Sequence, residues 1–421
     1  MVQQHTKRLP AAFATCALAL LFSHASGAEA PGEPTAPPPG VKLSGFGTLG
    51  AVYSSSRSAD FTASVLRADG AGYTRAWSPD VDSRLGAQLD LHHGACSGVL
   101  QVVSEQRLDG GYSPQLEWAN VKYQLTPDLA VRAGRIALPV FLGAESRKVG
   151  YTIPWVRTPV EVYGALPISS SDGLDATWRW STGPMLHATQ VFAGRTDHDL
   201  QNGLRIKAED IVGLSHSIER GAVSARLSAA TGRLNTAIGE ELFAVLRGFG
   251  PAGHAPADRY EISDKRVSMV SAGMSYDPGA WFVTFECGRT RTNSLLGGGT
   301  SMYVGAGLRR GALTPYVGYA QVRADVPTRD PGLPLEGLPP PLAAAGGQVN
   351  AGLNGFLATI PVQSTWSAGL RWDAATNIAL KLQLDRVRPR HGSRGTLINN
   401  QPDLLPDRAV HVGSVAMDFV F

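Results

Sequence analysis

The chemically capable residues of this chain are charged side chains at alternate positions. Arg84, Lys122, Arg132, Arg179, Arg226, Arg371 and Lys381 fall on polar faces of two-residue alternations, and so do Asp82, Asp90, Asp175, Glu286, Asp385 and Asp418. Opposed basic and acidic groups set up a transverse field that sorts ions by charge. The plainer alternative is that they only fill and hydrate an interior. Basic groups slightly outnumber acidic ones here, a bias toward anions. Glu145, Arg147, Lys148, Arg157 and Glu161 form a second set, all within one segment, 137–171. Covalent chemistry has little support. There is no His-Glu-x-x-His, no P-loop and no Gly-x-Ser-x-Gly. His92 and His93 are adjacent, as are Ser215 and His216, so in a strand neither pair shares a face. Gly297–Gly299 lacks the Lys and Ser/Thr of a phosphate loop. No catalytic residue, metal or cofactor is expected.

The elements that would carry these charges are strands. In 81–92, Leu85, Ala87, Leu89 and Leu91 oppose Asp82, Arg84, Gln88, Asp90 and His92. In 376–387, Ile378, Leu380, Leu382 and Leu384 oppose Lys381, Gln383 and Asp385. Period two with one polar face marks a half-buried strand. The same reading places sixteen strands at about 43–54, 81–92, 95–106, 115–125, 128–136, 172–181, 184–194, 209–219, 221–231, 267–276, 280–290, 300–309, 312–323, 362–372, 376–387 and 409–421. Each is near the roughly 9–11 residues that a membrane-crossing strand needs. Connections alternate between tight turns, such as Asp277-Pro278-Gly279, and long segments at 55–80, 107–114, 137–171, 195–208, 232–266, 291–299, 324–361 and 388–408. Loop length segregated by parity is the mark of a transmembrane barrel. The expected fold is all-β: one closed antiparallel barrel over 41–421, with a long third loop. A lipid-facing Arg or Lys costs about 2–4 kcal/mol at the midplane, so the charges above should point into the lumen.

Composition agrees. The chain has 421 residues, 48 of them Gly, with 17% charged residues and a net charge of only +3. No basic block suggests nucleic acid. Lys7 and Arg8, the apolar run 9–22 and the small residues after it read as a signal peptide over 1–28, cleaved near Ala28. Residues 29–40 are a Pro-rich, extended segment. Cys96 and Cys287 alone remain beyond the leader, and the sequence leaves their pairing open. Trp178, Trp180, Trp281, Trp366 and Trp372 lie near strand ends, as an interfacial girdle would. Trp118 falls on an inward face.

Three stretches resemble Gram-negative outer-membrane porins of about sixteen strands: GVKLSGFGTLGAVYS at the start, the run from Val131 to Trp178, and the terminal HVGSVAMDFVF. The resemblance implies a water-filled channel in the outer-membrane bilayer for passive diffusion of small hydrophilic solutes or ions, assembled as a homotrimer. It implies that segment 137–171, rich in Pro139, Phe141, Trp155 and Tyr163, folds into the lumen as a constriction. It also implies that Val415, Met417, Phe419 and Phe421 form the signal read by the outer-membrane assembly machinery. The alternatives are an outer-membrane barrel hydrolase and a substrate-specific anion channel, the latter with Arg84, Lys122, Arg132 and Arg179 along one wall.

Overall fold

Alternating apolar and polar positions can satisfy both lipid and water only if the sheet has no free edge. The computed structural model describes residues 40–421 except Ala165, Pro167, Asn202 and Gly203. The expected signal peptide and residues 29–39 of the Pro-rich segment lie outside the described residues. Sixteen long strands form one closed antiparallel barrel: β1 (Gly40–Ser54), β2 (Arg84–His93), β3 (Cys96–Glu105), β4 (Gln115–Gln124), β5 (Leu129–Ala137), β6 (Ser170–Thr182), β7 (Met185–Gln201), β8 (Leu204–Arg220), β9 (Val223–Thr236), β10 (Lys265–Tyr276), β11 (Trp281–Arg291), β12 (Gly299–Leu308), β13 (Leu313–Ala324), β14 (Gln363–Ala375), β15 (Ile378–Pro389) and β16 (Val410–Val420). All sixteen expected strands are present. Neighbours in sequence are neighbours in the sheet, and β1 closes it on β16, with Phe46 opposite Val420 and Ser54 opposite Val412.

The closing seam explains the apolar terminus. Gly45 N–H donates to the Phe421 carbonyl at 2.8 Å, and Phe421 N–H to the Gly45 carbonyl at 2.9 Å. A Cβ on Gly45 would lie 2.2 Å from Phe421 Cζ, and one on Gly47 would lie 2.3 Å from Phe419 Cζ. The two glycines are seats for the two rings, an aromatic-on-glycine device that pins register. Val415 and Phe421 are exposed on the outer face, with Met417 and Phe419 between them in the same alternation.

The outer surface is banded. Tyr276 packs against Trp281 (centroids 5.2 Å apart) and Trp178 against Trp180 (5.8 Å) beside the short turns. Tyr53 packs against Trp77 (5.3 Å) and Tyr319 against Trp366 (4.8 Å) toward the long loops. Between these girdles lie exposed Leu100, Val121, Leu174, Leu214, Val270, Val317 and Leu382. Arg289, Arg291, Arg323, Arg386 and Arg388 are exposed on outward positions, but at or beyond the loop-side girdle, where the cost of a lipid-facing charge falls away. His411, opposite Arg386, shares that level.

The turn ends close tightly, with left-handed residues such as Gly183 and Gly221 (both φ +56°). The long-loop expectation fails at 195–208. There β7 and β8 stay paired almost to their tips, through register shifts at Gly194/Thr196 and Asp199/Gln201. Charge pairing replaces the missing apolar alternation: Asp197 faces Lys207, Asp199 faces Arg205, and Arg205 Nη2 lies 2.8 Å from Asp197 Oδ2. Three of the other long loops carry helices that the alternation did not reveal: α1 (Val160–Tyr163), α2 (Glu240–Gly248), α3 (Pro251–Tyr260) and α4 (Pro340–Leu357). Phe243, Leu246, Tyr260, Leu353 and Leu357 join α2, α3 and α4 in one apolar cluster beyond the barrel rim. Among the described residues no helix is long and apolar enough to cross a membrane; the strands are the spanning elements.

Candidate functional site

The third connection, 138–169, runs through the barrel interior. Its Leu138, Val140, Phe141, Ala144, Trp155, Val162, Tyr163 and Ile168 form one core with Phe192, Ile211, Met269, Phe282, Tyr303 and Tyr316 of the wall. Trp155 is a buried aromatic anchor of that core. The indole meets Phe282, Tyr303 and Tyr316 edge-on, with centroids 5.7–6.3 Å apart. It is admitted by Gly305, where a Cβ would lie 2.3 Å from Trp155 Cη2. Such edge-to-face packing is worth about 0.5–1.5 kcal/mol per pair beyond area burial.

Charges peg the loop in place. Lys381 Nζ is buried, 2.8 Å from each of the Gly150, Ile153 and Trp155 carbonyls and 2.7 Å from Asp418 Oδ2. Arg371 Nη1 donates to the carbonyls of Tyr151 (2.7 Å) and Ile153 (3.1 Å). Arg157 forks onto Asp82 (Nε–Oδ1 2.9 Å, Nη2–Oδ2 2.7 Å) and reaches Asp385 Oδ2 (3.0 Å) and Ser414 Oγ (2.6 Å). Burial works against its charge, but the two carboxylates outweigh burial and hold the guanidinium above its ordinary value. Glu286 accepts from Leu142 N–H (2.6 Å), Tyr163 Oη (2.7 Å) and Tyr303 Oη (3.0 Å). Arg226 Nη1 donates to the Phe141 carbonyl (2.7 Å) and Glu145 Oε2 (2.8 Å). Glu161 Oε1 accepts from Gln363 Nε2 (2.7 Å) and from the Thr365 hydroxyl. Burial pushes the Glu161 carboxyl up from its ordinary value, and these hydrogen bonds work against the rise.

These partners lie on β9, β11, β12, β14, β15 and β16 and the Asp82 turn, so the loop leans on that arc. They divide the expected site residues in two. Arg157, Glu145, Glu161, Arg226, Glu286, Arg371, Lys381 and Asp385 are structural pegs, most of them with their charge spent on a partner. Arg84, Lys122, Arg132 and Arg179 lie across the lumen on β2, β4, β5 and β6. Lys122 sits opposite Arg132, and Arg132 opposite Asp175, with Arg132 Nε–Asp175 Oδ2 at 2.7 Å. Like charges directly opposite are destabilising, and Asp175 offsets only part of this. From the loop, Lys148 pairs with Glu105, which also takes Arg67 Nη2 at 2.8 Å. Arg147 Nη1 donates to the Leu166 carbonyl (3.3 Å), and burial pulls its guanidinium below the ordinary value. On β2–β6 the bases Arg84, Lys122, Arg132 and Arg179 stand with the carboxylates Asp90, Glu105 and Asp175, while Asp82, Asp385 and Glu286 contact the inserted loop and Asp418 holds Lys381.

Other expected positions resolve simply. Ser215 faces inward to Ser228 Oγ (3.0 Å), while His216 packs outward with Thr189 (2.8 Å) and His187 (3.4 Å). Trp118 lies opposite the buried, inward Gln101. Cys96 and Cys287 are both free thiols. Among the described residues, no group of three or more His, Cys, Asp or Glu is placed to hold a metal ion. The wall residues Gln363, Thr365 and Ser271, which also bind the loop, were not anticipated, because an uncharged polar residue on an inward face carries no signal of its partner.

A sixteen-stranded closed barrel with its third loop folded inside is the fold of the Gram-negative outer-membrane porins. Solved structures agree on that architecture. The chain is similar to the outer-membrane channel DcaP of Acinetobacter baumannii (TM-score 0.56, 11% identity, covering 91% of this chain and 97% of that one). It is similar to OmpF of Salmonella typhi in complex with daunomycin (TM-score 0.55, 12% identity, 90% and 97%), and to OmpT, an outer membrane protein of Vibrio cholerae (TM-score 0.50, 8% identity, 90% and 98%). At such identities the likeness is one of fold. No protein-family model and no curated protein matches the chain.

Proposed function

We propose that this chain is an outer-membrane porin, a channel through which small solutes and ions diffuse passively. The observation that carries it is a closed barrel whose third loop is pegged by Lys381, Arg371, Arg157 and Glu286 across the interior. A loop held at that many points is a rigid constriction, and it filters by size without gating motion. Filtering by charge falls to Arg84, Lys122, Arg132 and Arg179 on the facing wall, with Arg147 from the loop, Lys148 being paired with Glu105. Because the wall carboxylates are largely committed to loop contacts, this reading gives an anion preference, the basis for a more selective anion channel. The same proposal includes export by the 1–28 leader, assembly through Phe421, Phe419, Met417 and Val415, and a homotrimer in the outer-membrane bilayer. It assigns no catalytic step.

Purified protein added to a planar bilayer in KCl should give stepwise conductance with reversal potentials favouring chloride. Folded protein that never produces steps would refute the channel. Steps with a cation preference would refute the charge assignment alone.

A further inference from the structure

Between the inserted loop and the outer loops lies a cavity of about 600 Å³. Val140 and Ile168 of the inserted loop form its floor. Ile211 and Met269 belong to its wall, and Leu66 and Leu296 reach it from the outer loops. Among its described lining residues three are charged: Glu161, Arg233 and Arg323. None presents a free charge to the cavity. Glu161 is capped by Gln363 and Thr365. Arg233 is an exposed side chain paired with Asp210 and Asp264. Arg323 is exposed and sits opposite Thr300 on the outward face of the sheet. The polar remainder is chiefly hydroxyls, such as Thr196, Thr290 and Ser301.

A channel for hydrated ions alone has no use for such a chamber, since a charge entering it loses water and gains no partner. Its volume and lining are instead those of a small-molecule site. The bases of the facing wall, Arg84, Lys122, Arg132 and Arg179, stand across the lumen on β2, β4, β5 and β6, and none of them lines the cavity. We propose that this cavity is a binding station for small organic anions with an apolar body, aryl or alkyl carboxylates and sulfonates, which bury the body here and pass the head group to the basic wall. The proposal rests on the channel reading and names the solute class for it.

The test compares two membrane-impermeant anions with one head group. Benzenesulfonate and methanesulfonate are titrated separately against the KCl conductance of the reconstituted protein. Benzenesulfonate should half-block at about tenfold lower concentration, the effect of burying one ring. The ratio should fall toward one in Leu296→Ser, each variant being normalised to its own conductance. Leu66→Ser serves if Leu296→Ser does not fold. Equal half-block concentrations in the unaltered channel would overturn the proposal and leave the channel standing. If no steps appear, the channel reading fails by itself. Saturable binding of benzenesulfonate but not methanesulfonate by the detergent-solubilised protein then supports the site, and absence of that preference overturns it.

Discussion

Lys381 does more for the inserted loop than any other single side chain, because one ammonium serves three loop carbonyls and Asp418. Removing one partner of a buried pair costs about 3–5 kcal/mol, since the other charge is left stranded. Lys381→Met should therefore lower the temperature at which the barrel shifts on a gel, and should also widen the distribution of single-channel conductance as the loop loosens. A shift in stability with unchanged conductance would show that the loop holds without this peg. Glu161 gives a pH-dependent counterpart. Its folded-state value is raised above the ordinary 4.5 by burial, so its folding contribution is full at lower pH and is lost as pH rises through the raised value. Glu161→Gln keeps an acceptor for Gln363 and Thr365 and should flatten that loss. Thermal unfolding across pH 4–8 checks this, and an unaltered slope would contradict it. Arg132→Ala leaves Asp175 uncompensated, so reversal potentials in a KCl gradient should move toward the cation. An unchanged ratio would remove Arg132 from the charge filter.

Among the elements, the β1–β16 seam seats Phe419 and Phe421 on Gly47 and Gly45. Gly47→Val would drive a side chain into the Phe419 ring, and overpacking of this kind costs about 1–3 kcal/mol. The expected result is less inserted barrel in the membrane fraction, with normal conductance per inserted channel. Normal insertion would mean that the ring simply moves. Strands were readable in the sequence because lipid on one side and water on the other impose period two on every span, as in Leu380–Asp385. The β7–β8 tips were not readable, since beyond the membrane Asp197, Asp199, Arg205 and Lys207 pair with one another and need no apolar face. Helices α2–α4 were missed because they cover loops rather than span, and their apolar residues pack in a separate cluster. The alternation raised an expectation of which charges point inward, but gave no sign that Arg226, Glu286, Arg371 and Lys381 contact the inserted loop. Arg157 meets partners 75 and 228 residues away, and no local pattern encodes such pairings.

At the scale of the molecule, the barrel is the scaffold and, on the proposed reading, the inserted loop sets the width of its passage. The arc from β9 through β16 to β1 carries the loop; the facing wall carries Arg84, Lys122, Arg132 and Arg179. On the proposed reading, this division of labour lets a chain with net charge of only +3 present a basic passage. Its acidic groups are not absent but enlisted, with Asp82, Asp385 and Asp418 each holding an inserted or wall cation. The measurement that tests this most directly is single-channel conductance in KCl of the unaltered protein beside a variant in which residues 141–164 are replaced by a short Gly-Ser bridge. The account requires stepwise conductance from the first and clearly larger steps from the second. Steps of equal size from two folded proteins would show that the inserted loop does not set the passage.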